Sequence, residues 1–103
     1  MYLWLVKRIL SKKKIREFWQ SYPDSKSYLE TWYETANKAI WKTPNEIKEF
    51  YATVTILKNS RVVFNIKGND YRLIAKINYE KQWMFIRFIG THKEYDKIEA
   101  NTI

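Results

Sequence analysis

His92 is the only histidine in the chain, and Tyr95 follows it closely in the stretch RFIGTHKEYDKI, from Arg87 to Ile98. An imidazole exchanges protons near neutral pH, a phenol donates a hydrogen bond, and a guanidinium grips oxyanions with a planar fork of donors. Thr91 and Glu94 read as a T-x-x-E capping box, so a short helix begins at His92. At that first position the positive helix end favours the neutral imidazole, which can accept a proton. Tyr95 lies one turn on and shares a side with His92. Arg87, on the apolar run leading in, brings a guanidinium toward the same sheet edge. A lone histidine at a helix start also serves structure alone, and Tyr95 with Ile98 would then be the core side of that helix.

A sheet must position these groups. From Val54 the apolar period is two, and TVTIL, RVVFNIK, YRLIAKINY and WMFIRFI read as strands rich in β-branched and aromatic residues. Turn clusters at Lys58–Ser60, Lys67–Asp70 and Glu80–Gln82 separate them, with Gly68-Asn69 a two-residue hairpin signal. Three consecutive hairpins make an antiparallel meander, and the early VKRIL adds an edge strand. Alternation assigns one face to Val62, Phe64, Ile66, Leu73, Ala75, Ile77, Met84, Ile86 and Phe88, all apolar and packed under helices. The other face carries Val63, Asn65, Lys67, Arg72, Ile74, Lys76, Asn78, Trp83, Phe85, Arg87 and Ile89. Antiparallel sheets commonly have one solvated face. Here, however, two arginines stand in the most apolar strands, and Trp83 and Phe85 are placed to stack on bases.

The N-terminal half is helical. Ser11 reads as an N-cap with Leu10 stapling onto Ile15, and Ile15, Phe18, Trp19 and Tyr22 form one face until Pro23. Asp24 or Ser25 caps a second helix with the stripe Leu29, Trp32, Tyr33, Ala36 and Ile40. Thr43, Pro44 and Glu46 open a third through a capping box, with Ile47, Phe50 and Tyr51 as its apolar contacts. The expected fold is α+β. An antiparallel β-meander with an N-terminal edge strand packs under two or three N-terminal helices, and a short C-terminal helix follows.

At 103 residues the chain reads as one domain, residues 1–103, and its 46% apolar content argues for a packed core. The absence of cysteine excludes disulfides and thiolate metal sites and suits a cytoplasmic protein. Tyr2–Val6 is too short an apolar patch for a signal segment or a membrane span. Nineteen basic against 11 acidic side chains give a net charge of +8, which attracts a polyanion or simply marks a solvated surface. Lys7 to Arg16 holds six cations and no acid, with Lys12–Lys14 in a helical first turn that disfavours them. That suits a basic surface for RNA or an acidic partner.

The blocks REFWQSYPDS, WKTPNEIKEFY, RVVFNIKGNDYRLIAKINY and FIRFIGTHKEYDKI closely resemble the HigB family of toxins, within the RelE-like group. The resemblance runs from about Lys7 onward, and NIKGN-YR and THKEYD are its most specific parts. It implies a small α+β fold of the microbial-ribonuclease type and cleavage of messenger RNA, typically on the ribosome. It also implies neutralisation by a helix-turn-helix, HigA-like antitoxin. MYLWLV precedes the point where such chains usually begin, so residues 1–6 are expected to be an N-terminal extension or the product of an upstream start codon.

Carried onto this sequence, the resemblance implies RNA phosphate contacts at Lys67, Arg72 and Arg87, with His92 and Tyr95 near the scissile bond. It adds Asn65 and Asn69 as base or backbone contacts, and Lys76, Trp83 and Lys93 complete the expected RNA-binding set. RNA supplies its own nucleophile, the 2′-OH, so the enzyme needs an in-line pose, proton transfer and cations around the phosphorane. Arg72 and Arg87 would hold the phosphate, Lys67 add charge, and His92 move the proton. Tyr95 would donate to the leaving group or stack on a base. No metal and no cofactor is expected, since one histidine without clustered carboxylates offers no ligand set. Two other classes stay open: a non-catalytic RNA-binding or ribosome-blocking module, and a domain that binds acidic peptides.

Overall fold

A computed structural model describes residues 8–103; residues 1–7, with the expected extension and the start of VKRIL, lie outside the described residues. Strand β1 (Arg8–Leu10) is followed by α1 (Lys12–Ser21), a 3₁₀ turn (Pro23–Ser25), α2 (Lys26–Lys38) and α3 (Pro44–Phe50). Then come β2 (Thr55–Ile56), β3 (Arg61–Ile66), β4 (Tyr71–Asn78), β5 (Trp83–Thr91) and α4 (His92–Asp96). The strands form one sheet in the order β1-β5-β4-β3-β2. β2 to β5 are the expected antiparallel meander, and β1 joins parallel at the β5 edge, Ile9 opposite Met84.

The core lies between helices and sheet. Ile15, Leu29, Trp32, Ala36 and Ile47 meet Val62, Phe64, Leu73, Ala75, Ile77, Met84 and Ile86, all buried. Each large apolar side chain removed from water contributes about 1.5–3 kcal/mol, so this layer dominates stability. Phe64 stands at its centre, with the rings of Trp32, Trp41 and Tyr51 around it.

Several local expectations are corrected. Ser11 is at the N-cap but in a left-handed conformation (φ 72°), and its hydroxyl makes no cap bond. The chain must reverse at once from β1 into α1, and Leu10 stays 39% exposed instead of stapling onto Ile15. Ser25 precedes α2 without a side-chain cap; its hydroxyl bonds the Tyr22 carbonyl at 2.7 Å. α2 ends at Lys38, because the backbone extends at Ala39 to deliver Trp41 to the core, and Ile40 is left exposed. Thr43 caps α3, but Glu46 accepts from the Lys42 amide at 2.6 Å, so that capping box is not closed on Thr43. In the β3–β4 loop the left-handed residues are Lys67 and Gly68, one position before the expected Gly68-Asn69 pair.

The largest correction concerns β5. Ile74 pairs with Phe88 and the next residue, Ala75, with Ile86, so β5 carries one extra residue, a bulge at Arg87. Beyond the bulge the faces exchange: Phe88 leaves the core face, and Ile89 packs against the core instead. The second face is not wholly open either. Val63 and Ile74 are buried there outside the main core, on the side where α4 packs and the chain end returns. Arg61, itself buried, anchors that return, donating from Nε (2.9 Å) and Nη2 (2.8 Å) to the Ile103 main-chain oxygen.

Candidate active site

Arg72 stands on β4 opposite Asn65 on β3 and Gly90 on β5. Glycine at 90 leaves room for both neighbours, since a Cβ would come within 2.5 Å of Phe88 Cζ and 2.8 Å of Glu94 Oε1. The Phe88 ring and the Glu94 carboxylate occupy that space. The Glu94 carboxylate accepts from the Thr91 amide at 2.8 Å, and the Glu94 amide donates to Thr91 Oγ1 at 3.1 Å. The capping box expected from sequence is therefore complete and starts α4 at His92.

α4 is short and has no fully buried residue, so its cap and its neighbours hold it. The His92 amide donates to the Asp70 carbonyl at 3.1 Å. The imidazole is half exposed, with Nδ1 3.2 Å from Asp96 Oδ2. Asp96 thus favours Nδ1 as the protonated nitrogen and Nε2 as the free acceptor. Tyr95 is half-buried, and the Arg72 guanidinium carbon lies 5.7 Å from its ring centroid, within cation–π range. Arg72 Nη1 also donates to the Asn69 carbonyl at 3.1 Å and the Tyr71 carbonyl at 3.3 Å. One end of the sheet thereby gathers Arg72, His92 and Tyr95.

Lys67 departs from expectation. Its ammonium leaves the second face for the helical layer, 2.8 Å from Asp24 Oδ2, and Asp70 Oδ2 lies 3.5 Å away. Tyr71 donates its hydroxyl to Asp24 Oδ1 at 2.6 Å. The hydrogen bonds from Lys67 and Tyr71 hold the Asp24 carboxyl below its ordinary value. The same bond from Asp24 raises the Lys67 ammonium, and it pushes the Tyr71 phenol up to about 12. The left-handed backbone at Lys67 turns its side chain toward the Asp24 and Asp70 carboxylates, a consequence that strand alternation does not reveal.

Arg87 shares the second face but stands apart. It stands three positions before Gly90 on β5, a spacing of about 10 Å at strand rise. Its Nε donates to the Ile103 main-chain oxygen at 3.3 Å. It borders an open groove of ≈ 550 Å³ lined also by Lys76, Asn78, Trp83 and Phe85. Trp83 and Phe85 meet edge to face with centroids 6.4 Å apart, and Lys81 Nζ lies 4.8 Å from the Trp83 ring centroid. Of the remaining expected contacts, Asn65 is half-buried opposite Arg72, Asn69 is exposed on the loop, and Lys93 is exposed on α4. Sequence reasoning missed Asp96, Asp24 and Arg61. The i, i+4 spacing from His92 marks Asp96, whereas Asp24 and Arg61 act across more than 40 residues of chain and carry no local signal. Among the described residues no group of three His, Cys, Asp or Glu side chains is arranged to hold a metal ion, and no helix is long and apolar enough to cross a membrane.

Helices over one face of a mostly antiparallel sheet, with a short C-terminal helix at its end, make an α+β architecture consistent with a RelE-like fold. The family described as HigB_toxin, the RelE-like toxic component of a toxin–antitoxin system, matches residues 25–98. The chain belongs to the HigB toxin family. It is 31% identical over 94 residues to the mRNA interferase toxin HigB of Escherichia coli K12, covering 89% of this chain and 90% of that protein. The mRNA interferase HigB of Shigella flexneri matches equally, and that of Escherichia coli O6:H1 is 30% identical over 92 residues.

Proposed function

We propose that this toxin is an endoribonuclease that cleaves messenger RNA on the ribosome, by attack of the 2′-OH on the neighbouring phosphate. What carries the reading is the meeting of Arg72 with Tyr95 beside the α4 start that bears His92. Among the described residues only Nη1 of Arg72 is engaged in hydrogen bonds, so Nε and Nη2 remain to hold a phosphate in a fork. His92, with Asp96 beside Nδ1, presents Nε2 as the base. Tyr95 supplies a proton to the leaving 5′-oxygen or a surface on which a base stacks. Arg87, at the groove with Lys76 and Trp83, holds the strand farther along. Lys67 is neutralised by two carboxylates and is left out of the phosphate shell. The relatives named mRNA interferases support the reaction class.

The partners that follow are messenger RNA, the ribosome and a helix-turn-helix, HigA-like antitoxin, all met in the cytoplasm by a single domain. Primer extension on a defined messenger, with and without ribosomes, tests the reading. Reproducible cleavage ends are expected, and they disappear in His92→Ala. Slowed translation of intact message would establish a blocker instead.

A further inference from the structure

We propose that Asp24 is a positioning residue for this site, acting through Lys67 and Tyr71 on the β3–β4 loop; the inference rests on the cleavage reading above. The loop from Lys67 to Asp70 supports the site with two successive carbonyls: that of Asn69 receives Arg72 Nη1, and that of Asp70 receives the His92 amide. A shift of this loop therefore moves the phosphate-holding guanidinium and the proton-transfer helix together.

Two bonds fix the loop to the opposite layer of the molecule. Asp24 takes the Tyr71 hydroxyl on one oxygen at 2.6 Å and the Lys67 ammonium on the other at 2.8 Å. Asp24 is itself held in the 3₁₀ turn between α1 and α2, where Ser25 donates to the Tyr22 carbonyl and the Phe18, Tyr22 and Tyr71 rings pack together. The loop needs such an anchor, because Lys67 and Gly68 are both left-handed and only the Asp70 amide closes back on the Lys67 carbonyl, at 3.1 Å. The Asp24 and Lys67 side chains are 48% and 33% exposed, and ion pairs so exposed add little to global stability. Their effect is local, on where the loop stands.

The test is cleavage by the full chain on ribosomes programmed with a defined messenger, with kcat and KM measured separately. Asp24→Ala and Asp24→Asn are expected to lower kcat on the order of 10- to 10²-fold while KM stays unchanged, as misplacement of reacting groups does. Exchanging the pair, Asp24→Lys with Lys67→Asp, restores the ion pair but not the acceptor for the Tyr71 hydroxyl, and is expected to recover part of the loss. A direct phosphate contact by Lys67 predicts otherwise: Lys67→Met would weaken RNA binding and reduce its salt slope by about 1, and the exchange would recover nothing. Full kcat in both Asp24 variants, or no recovery in the exchanged pair, overturns the inference. If His92→Ala and Arg72→Ala lose cleavage while Asp24→Ala keeps it, this inference alone fails. If those two variants keep cleavage, the reading of the site fails.

Discussion

Replacing Gly90 by alanine perturbs the site without touching any group that does chemistry. The new methyl would lie 2.5 Å from Phe88 Cζ and 2.8 Å from Glu94 Oε1, too close for either to stay. Both contacts are far ends of flexible side chains, so the strands need not separate. The Phe88 ring swings, and the Glu94 carboxylate leaves the Thr91 amide. A lost cap costs about 1 kcal/mol, and crowding of this kind adds about 1–3 kcal/mol where neighbours cannot yield. Because neighbours here yield, a global loss near the lower figure is expected.

The local effect is larger. α4 has no fully buried residue, so its cap is a major share of what orders it. The Lys97 amide, bonded to the Glu94 carbonyl at 3.1 Å, should exchange with solvent about tenfold faster for each 1.4 kcal/mol lost. Cleavage should fall with it, because His92 and Tyr95 ride on that helix. Glu94→Ala removes the same cap without crowding, so the two substitutions should be non-additive. Gly90→Ala with normal Lys97 protection and normal cleavage would refute the reasoning.

Other expectations follow from the same geometry. Arg72→Ala and His92→Ala should each lower cleavage by about 10²-fold or more with the melting temperature unchanged, read by single-turnover kinetics. Phe64→Ala should cost about 3–5 kcal/mol in urea unfolding, because three aromatic neighbours lose their packing partner. Arg61→Met should free the Ile103 oxygen and with it the Nε tether of Arg87, seen as faster exchange of the Thr102 and Ile103 amides. Stability against pH should fall at both ends. The lowered Asp24 carboxyl contributes above its ordinary value of 3.8, and that contribution is lost as pH falls through its folded value. Tyr71, pushed up from 10.0 to about 12, contributes below pH 10 and loses that contribution as pH rises toward 12; raised Lys67 acts in the same direction. Tyr71→Phe should flatten the alkaline limb.

The meander was readable because period-two apolar patterning and turn residues are local signals, and the α4 start was readable because Thr91 and Glu94 carry both halves of their cap. What escaped was set by long-range geometry. No pattern in WMFIRFI announces the bulge at Arg87, so simple alternation puts Phe88 and Ile89 on each other's faces. Alternation puts Lys67 on the second face, but its left-handed backbone and the distant Asp24 decide where its charge goes. Arg72 meets the Tyr95 ring on the helix that His92 starts, while Arg87 stands farther along β5 with its Nε on the Ile103 main-chain oxygen, a long-range bond that no motif marks.

The proposed cleavage uses RNA's own 2′-OH at the rim that carries Arg72, Tyr95 and the α4 start. The most direct measurement places a single 2′-deoxynucleotide immediately upstream of the mapped cleavage position in an otherwise identical messenger. Cleavage there should vanish while binding persists and other positions are still cut. Unchanged cleavage at the deoxy position would contradict it.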